Sequence, residues 1–76
     1  MRKKNKSIIY LLNVRDLDSL ARDIRSRLPR GARFQHAKGM EMHRIYVDFT
    51  NFEQQLRTAY ILKMAGARFF ISKRKL

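Results

Sequence analysis

The stretch His43-Arg44-Ile45-Tyr46-Val47-Asp48-Phe49 decides the fold of this 76-residue chain. Isoleucine, valine and phenylalanine alternate in it with arginine, tyrosine and aspartate, and a β-strand turns successive side chains to opposite faces. One face of this strand is therefore apolar enough to pack on a core, while the other presents a cation, an aromatic ring and an acid. We expect function to lie on that second face.

The composition bounds the size and the class of the protein. A chain of this length makes one small domain with a single modest core, and a hydrophobic fraction of 45% favours a folded chain over a disordered one. The absence of cysteine excludes disulfides and thiolate metal sites. No apolar run approaches the ~20 residues of a membrane span, and no apolar segment follows the basic start as in a secretory signal. We expect an intracellular protein, in the nucleus or the cytoplasm.

The charge is the most informative property of the composition. Eighteen lysines and arginines against six acids give a net charge of +12 and a pI of about 11.2. Such a domain attracts polyanions, and nucleic acid is the commonest of these partners. An anionic membrane surface is the rival ligand, and a basic protein that is merely soluble is the third possibility.

Upstream of the opening stretch, the chain predicts a strand, a helix and a second strand. The nearly continuous apolar run 8–14 is typical of a central strand. Asp16 caps a helix that ends at Pro29 and Gly31, and residues 32–37 form the second strand. The helix places five apolar residues on one narrow arc, namely Leu17, Leu20, Ala21, Ile24 and Leu28.

Downstream, the chain predicts a second helix and a last strand. The capping-box pattern Thr50-Asn51-Phe52-Glu53 begins the helix directly after the opening stretch, Gly66 ends it, and residues 67–72 form the strand. Ile61 is expected to be exposed. The apolar spacing predicts that the core-facing stripe of this helix consists of Phe52, Leu56, Ala59 and Tyr60, and that Leu62 lies beside the stripe.

The predicted elements follow in the order strand, helix, strand, strand, helix, strand, with Lys38-Gly39 as the turn of the central hairpin. Gly31-Ala32-Arg33-Phe34 recurs as Gly66-Ala67-Arg68-Phe69, which divides the chain into two similar strand-helix-strand units. Two such units interleave into a ferredoxin-like βαββαβ fold of the α+β class. Its four-stranded antiparallel sheet has both helices on one face and the first and third strands at its centre. Residues 1–6 are predicted to be a flexible basic arm, 7–73 a single domain and 74–76 a basic tail.

The sheet face without helices is the candidate site. Aromatic rings stack on unpaired bases, and arginines hold phosphates or stack on bases themselves. Such a surface suits a single strand, because paired bases hide their faces. Basic residues at both ends, Lys73 among them, would add salt-sensitive reach. The alternation of the strands predicts the outward residues Tyr10, Arg33, Arg44, Tyr46, Arg68 and Phe70.

Two segments resemble the signatures of the RNA-recognition-motif family. Ile9-Tyr10-Leu11-Leu12-Asn13-Val14 is similar to its shorter ribonucleoprotein signature, and Tyr46-Val47-Asp48-Phe49 is similar to half of the longer one. The resemblance spans residues 7–73 and implies that Tyr10 and Tyr46 stack on bases. Where the family has a basic residue, glycine, an aromatic residue and a small residue, this chain has Met42-His43-Arg44-Ile45. The chain therefore resembles a degenerate or minimal member, and some degenerate members bind proteins instead of RNA.

We predict a non-enzymatic module that binds single-stranded RNA and needs no cofactor. A protein-interaction module in a ribonucleoprotein complex, with a protein partner or a second copy, is the alternative. In a third hypothesis, a basic face of the first helix binds the phosphates of structured RNA. This face contains Arg15, Arg22 and Arg25. Asp16 invites comparison with small ferredoxin-like nucleases that hold a metal at this position, although a capping role explains the residue fully. RNA and single-stranded DNA are not distinguished by the sequence.

Overall fold

A computed structural model of the protein describes residues 5–37 and 42–73. It contains four strands and two helices, which confirms the predicted α+β class. In chain order the elements are β1 (Asn5–Leu11), α1 (Leu17–Ile24), a 3-10 turn (Arg25–Arg27), β2 (Arg33–Gln35), β3 (His43–Phe49), α2 (Phe52–Met64) and β4 (Phe69–Lys73). The predicted hairpin turn at Lys38-Gly39, residues 1–4 of the basic arm and the tail 74–76 lie outside the described residues.

The four strands form one antiparallel sheet in the order β2-β3-β1-β4. Ile9 of β1 lies opposite Ile45 of β3 on one side and Ile71 of β4 on the other. Because paired residues point to the same face of a sheet, this row fixes the inward face. β3 covers the whole stretch His43–Phe49, as the alternation of its residues predicts.

The first strand lies three residues earlier than predicted. The pairing continues for one backbone bond beyond Leu11, because the Leu12 N–H donates to the Arg68 carbonyl at 2.8 Å in the same register. At the next residue, the Asn13 side-chain oxygen accepts from the Arg68 N–H at 2.7 Å and so replaces a backbone partner. The strand begins at Asn5, within the segment predicted to be a flexible arm. β2 is also shorter than the predicted 32–37.

Helix α1 begins where predicted, but it ends at Ile24, before the predicted end at Pro29 and Gly31. The Asp16 carboxylate accepts from the Ser19 N–H at 3.1 Å and caps the first turn, as its residue type favours. The five predicted apolar residues are all buried. The chain tightens into the 3-10 turn after Ile24 and becomes extended at Leu28, which is the conformation that a following proline demands. Gly31 then takes a positive φ of 89°, which costs glycine little.

Helix α2 is rotated relative to its prediction. Ile61, expected to be exposed, is 7% exposed and buries together with Thr58 and Leu62. The predicted stripe is wrong: its members Phe52, Leu56 and Tyr60 are 66%, 54% and 64% exposed. Large aromatic rings need room between helix and sheet, whereas a threonine and two branched aliphatic residues pack closely there.

The start of α2 also differs from the predicted capping box by one residue. Asn51 is the N-cap, and its side-chain oxygen accepts from the Gln54 N–H at 2.8 Å. The Gln54 side chain in turn accepts from the Thr50 N–H at 2.9 Å. Glutamine serves the third helical position as well as glutamate does, so the pattern Asn51–Gln54 replaces the predicted Thr50–Glu53.

A single core joins both helices to the inward face of the sheet. It contains Ile9, Leu11, Ile45, Val47 and Phe49 from the strands and Leu17, Leu20, Ile24, Leu28, Ile61 and Leu62 from the helical segments. Within residues 5–37 and 42–73, no residue on the opposite side of the sheet belongs to this core. Neither described helix is long and apolar enough to cross a membrane.

Candidate nucleic-acid interface

The side of the sheet opposite the core presents side chains from all four strands, and we call it the outer face. The strand register arranges them in two neighbouring rows. The first row is Gln35, Arg44, Tyr10 and Phe70, and the second is Arg33, Tyr46, Ile8 and Ser72. Five of the predicted RNA-binding residues, Tyr10, Arg33, Arg44, Tyr46 and Phe70, are thus brought together on this face.

The first row is built around the Tyr10 ring. Phe70 stacks on it with ring centroids 4.8 Å apart and an interplanar angle of 22°. The Arg44 guanidinium carbon lies 5.6 Å from the Tyr10 centroid, within the range of a cation–π contact. Arg44 and Phe70 belong to the two strands that flank β1, so they approach Tyr10 from opposite sides. Tyr10 is half-buried, and Phe70, at 45% exposure, offers the more accessible ring.

The second row repeats the pairing of arginine with an aromatic ring. The Arg33 guanidinium carbon lies 5.9 Å from the Tyr46 centroid. Arg33 and Tyr46, with Phe34 and Gln35, line a shallow depression of about 370 Å³. This volume falls at the lower end of the range found for small-molecule sites, so the depression can hold one flat heterocycle beside a cation.

The two tyrosines are diagonal neighbours. Tyr10 lies directly opposite Arg44, and Tyr46 lies opposite Ile8. The two tyrosines, which we expected to be side by side, are therefore offset by two residues along the strands. Diagonal positions are still roughly 7 Å apart. Ile8 occupies the middle of the second row and is absent from the predicted site. Its even spacing from Tyr10 is the signal that could have placed it there.

The two remaining predicted site residues lie at the margin. Arg68 is exposed and precedes β4, where its backbone bonds Leu12 and Asn13. Lys73 pairs in register with Ser7, whose side chain is buried on the core side, so alternation places Lys73 on the opposite face from Phe70. Lys6, which the sequence assigned to the basic arm, pairs with Asp48 on the outer face.

The other polar groups of interest have structural partners. His36 Nε2 lies 3.1 Å from the Asp18 carboxylate at the surface, and His43 Nδ1 accepts from the Ala37 N–H at 2.9 Å. The two histidine rings meet edge to face, with centroids 5.7 Å apart. No cluster of three or more metal-ligating side chains occurs within residues 5–37 and 42–73. One Asp16 oxygen is engaged in the helix cap.

The arginines of α1 and the following turn are placed differently from those of the outer face. Arg22 and Arg25 line a depression of about 400 Å³ together with Asp18. The Arg25 guanidinium carbon lies 5.2 Å from the centroid of Phe34, a half-buried residue that packs against the core. Arg25 therefore covers apolar surface at the β2 edge, and an acid accompanies the cations of this depression.

Comparison with protein-family models, with curated proteins and with solved structures found no match to this chain.

Proposed function

We propose that this protein is a single-stranded RNA-binding module with a ferredoxin-like βαββαβ fold of RNA-recognition-motif type. The sheet order with β1 and β3 at its centre supports this arrangement, as does the common core of both helices and the inward face. The observation on which the proposal rests is the outer face, where three aromatic rings and two arginines occupy adjacent positions on four strands. Its ligand is a strand with unpaired bases, because only those expose their faces for stacking.

The arginines and the rings of the outer face have different roles in this proposal. Phe70 provides an exposed ring for one base, and Tyr46 with Arg33 provides a second position at the depression. Tyr10 fixes the orientation of the Phe70 ring, since the two rings already stack on each other. Arg33 and Arg44 bind phosphates or bases in bidentate geometry. The net charge of +12 accelerates and strengthens the encounter at low salt.

The test is binding of a fluorescently labelled oligouridylate of about ten nucleotides, measured by anisotropy across a salt series. Each base–ring stack is worth about 1–3 kcal/mol. The combined Tyr46→Leu and Phe70→Leu variant should therefore weaken binding by at least tenfold. Leucine keeps apolar volume on the sheet, so the fold is retained, and circular dichroism verifies this. An equally long duplex should bind more weakly than the single strand to the wild-type protein.

A matched control removes an aromatic ring from a different surface. Tyr60→Leu changes an exposed tyrosine of α2 and should leave the affinity for the oligouridylate unchanged. Arg33→Ala and Arg44→Ala should each reduce the salt slope by roughly 0.7. If the double leucine variant binds as tightly as the wild type, the outer face is not the RNA site. A loss caused instead by Arg22→Ala with Arg25→Ala would transfer the site to the helix face.

A further inference from the structure

Helix α2 exposes a continuous apolar stripe on the side away from the core. The stripe consists of Phe52, Leu56, Tyr60 and Met64, with exposures of 66%, 54%, 64% and 67%. A single exposed apolar residue is ordinary on a protein surface, but these four form one contiguous row. This patch is separate from the outer face of the sheet.

The stripe has the geometry of a helix-packing ridge. Its members are spaced by four residues, and residues at this spacing lie one above the other on the same face of a helix. At about 100° per residue, the stripe points nearly opposite to the buried residues Thr58, Ile61 and Leu62. Twelve residues at 1.5 Å give a ridge of roughly 18 Å, which matches about three turns of a second helix.

Cations border this ridge. Arg57 and Lys63 are exposed and lie three residues from Tyr60, one on each side of it. On the Arg57 side, Arg27 joins it around a cleft of about 180 Å³ that Gln54 and Thr58 also line. The helix contains one acid, Glu53. An apolar ridge between positive margins is complementary to an apolar stripe between negative ones.

We infer that α2 docks an acidic amphipathic helix of a partner protein. Its apolar face would cover the stripe, and its flanking glutamates or aspartates would pair with Arg57 and Lys63. Two observations argue against a second copy of this chain as the occupant. Two copies would bring two charges of +12 together. The ridge also has a footprint of roughly 200 Å², about 18 Å by 10–12 Å, whereas a standard interface buries about 800 Å² per partner.

The probe is a designed 16-residue helical peptide with leucine and phenylalanine at positions i, i+4, i+7 and i+11, and glutamate at the flanks. Binding to the full 76-residue chain is measured by calorimetry, and the site is located by NMR chemical-shift changes. We expect saturable binding with shifts confined to α2 and the Arg27 cleft. The double variant Leu56→Ser with Tyr60→Ser should bind at least tenfold more weakly. Both residues are exposed, so the fold is retained.

Matched probes separate the contributions of shape and charge. A peptide with the same apolar stripe and lysine flanks should bind at least tenfold more weakly than the glutamate peptide. A scrambled acidic peptide without a stripe should also bind at least tenfold more weakly. Leu12→Ser removes an exposed leucine outside the α2 stripe and should leave the affinity for the glutamate peptide unchanged. The Leu56→Ser and Tyr60→Ser variant should bind oligouridylate as the wild type does, so loss of this inference and loss of the RNA proposal are distinguishable.

Several outcomes would overturn the inference. Equal binding of the scrambled acidic peptide would mean that the protein attracts any polyanion. Equal binding of the lysine peptide would remove the charge complementarity, and absence of binding by the glutamate peptide would remove the site. A concentration-dependent dimer that sedimentation detects in the wild type and not in the Leu56→Ser and Tyr60→Ser variant would assign the stripe to a second copy instead.

Discussion

At the scale of single residues, Ser7 carries a hydroxyl that is buried among apolar side chains. Its side chain is 1% exposed on the core side of β1, and its hydroxyl has no hydrogen-bond partner among the described residues. A buried polar group without a partner costs about 1–3 kcal/mol. We expect Ser7→Ala to leave the free energy of unfolding in urea unchanged or to raise it by about 1 kcal/mol.

Ser72→Ala is the matched control for this prediction. Ser72 lies opposite Ile8 on the outer face and is half-buried, so its hydroxyl can reach water. The replacement should change the free energy of unfolding by less than about 0.5 kcal/mol. A loss of more than about 1 kcal/mol in Ser7→Ala would mean that the hydroxyl is bound in solution, for example by a buried water.

The candidate site was predictable to the extent that strand alternation determines it. Period two places Tyr10, Arg44, Tyr46 and Phe70 on one face, and the register keeps them there. The stacking of Tyr10 on Phe70 was not predictable, because it depends on which residues of neighbouring strands lie opposite each other. Lys73 is three residues from Phe70 in β4, and this odd spacing by itself places Lys73 on the other face.

At the scale of elements, the two helices differ in how well their sequence determines their orientation. In α1 the apolar residues occupy one arc and charged residues the rest, so one face can pack on the sheet. In α2 apolar residues occupy two opposite arcs, one ending in Ile61 and Leu62 and one containing Leu56 and Tyr60. Periodicity cannot choose between two such arcs; the fit of side chains against the sheet does.

Two leucines of α2 test its orientation directly. Leu62 is fully buried and Leu56 is 54% exposed. Leu62→Ala leaves a cavity and should lower the free energy of unfolding by about 3 kcal/mol. Leu56→Ala should change it by less than about 0.5 kcal/mol. Urea denaturation of both variants makes the comparison within one helix and one residue type. The reverse order of effects would restore the orientation that the apolar spacing predicted.

At the scale of the whole molecule, stability should depend on salt. The chain carries a net charge of +12 on only 76 residues. Two like charges about 12 Å apart in water repel by roughly 0.3 kcal/mol when unscreened. The screening length is about 8 Å at physiological ionic strength and about 30 Å at 0.01 M. Most of this repulsion is therefore screened in physiological salt and effective in dilute buffer.

We expect the free energy of unfolding to be lower in 10 mM than in 150 mM NaCl by about 1 kcal/mol, the sum of a few such pairs. Arg30→Glu tests the cause. Arg30 is exposed in the turn after Pro29, and its replacement lowers the net charge by two, from +12 to +10. The variant should be more stable than the wild type in 10 mM NaCl and equal to it in 150 mM NaCl, as urea denaturation at both concentrations would measure. Greater wild-type stability in dilute buffer would instead mean that attractive ion pairs dominate, because salt weakens attraction as it weakens repulsion.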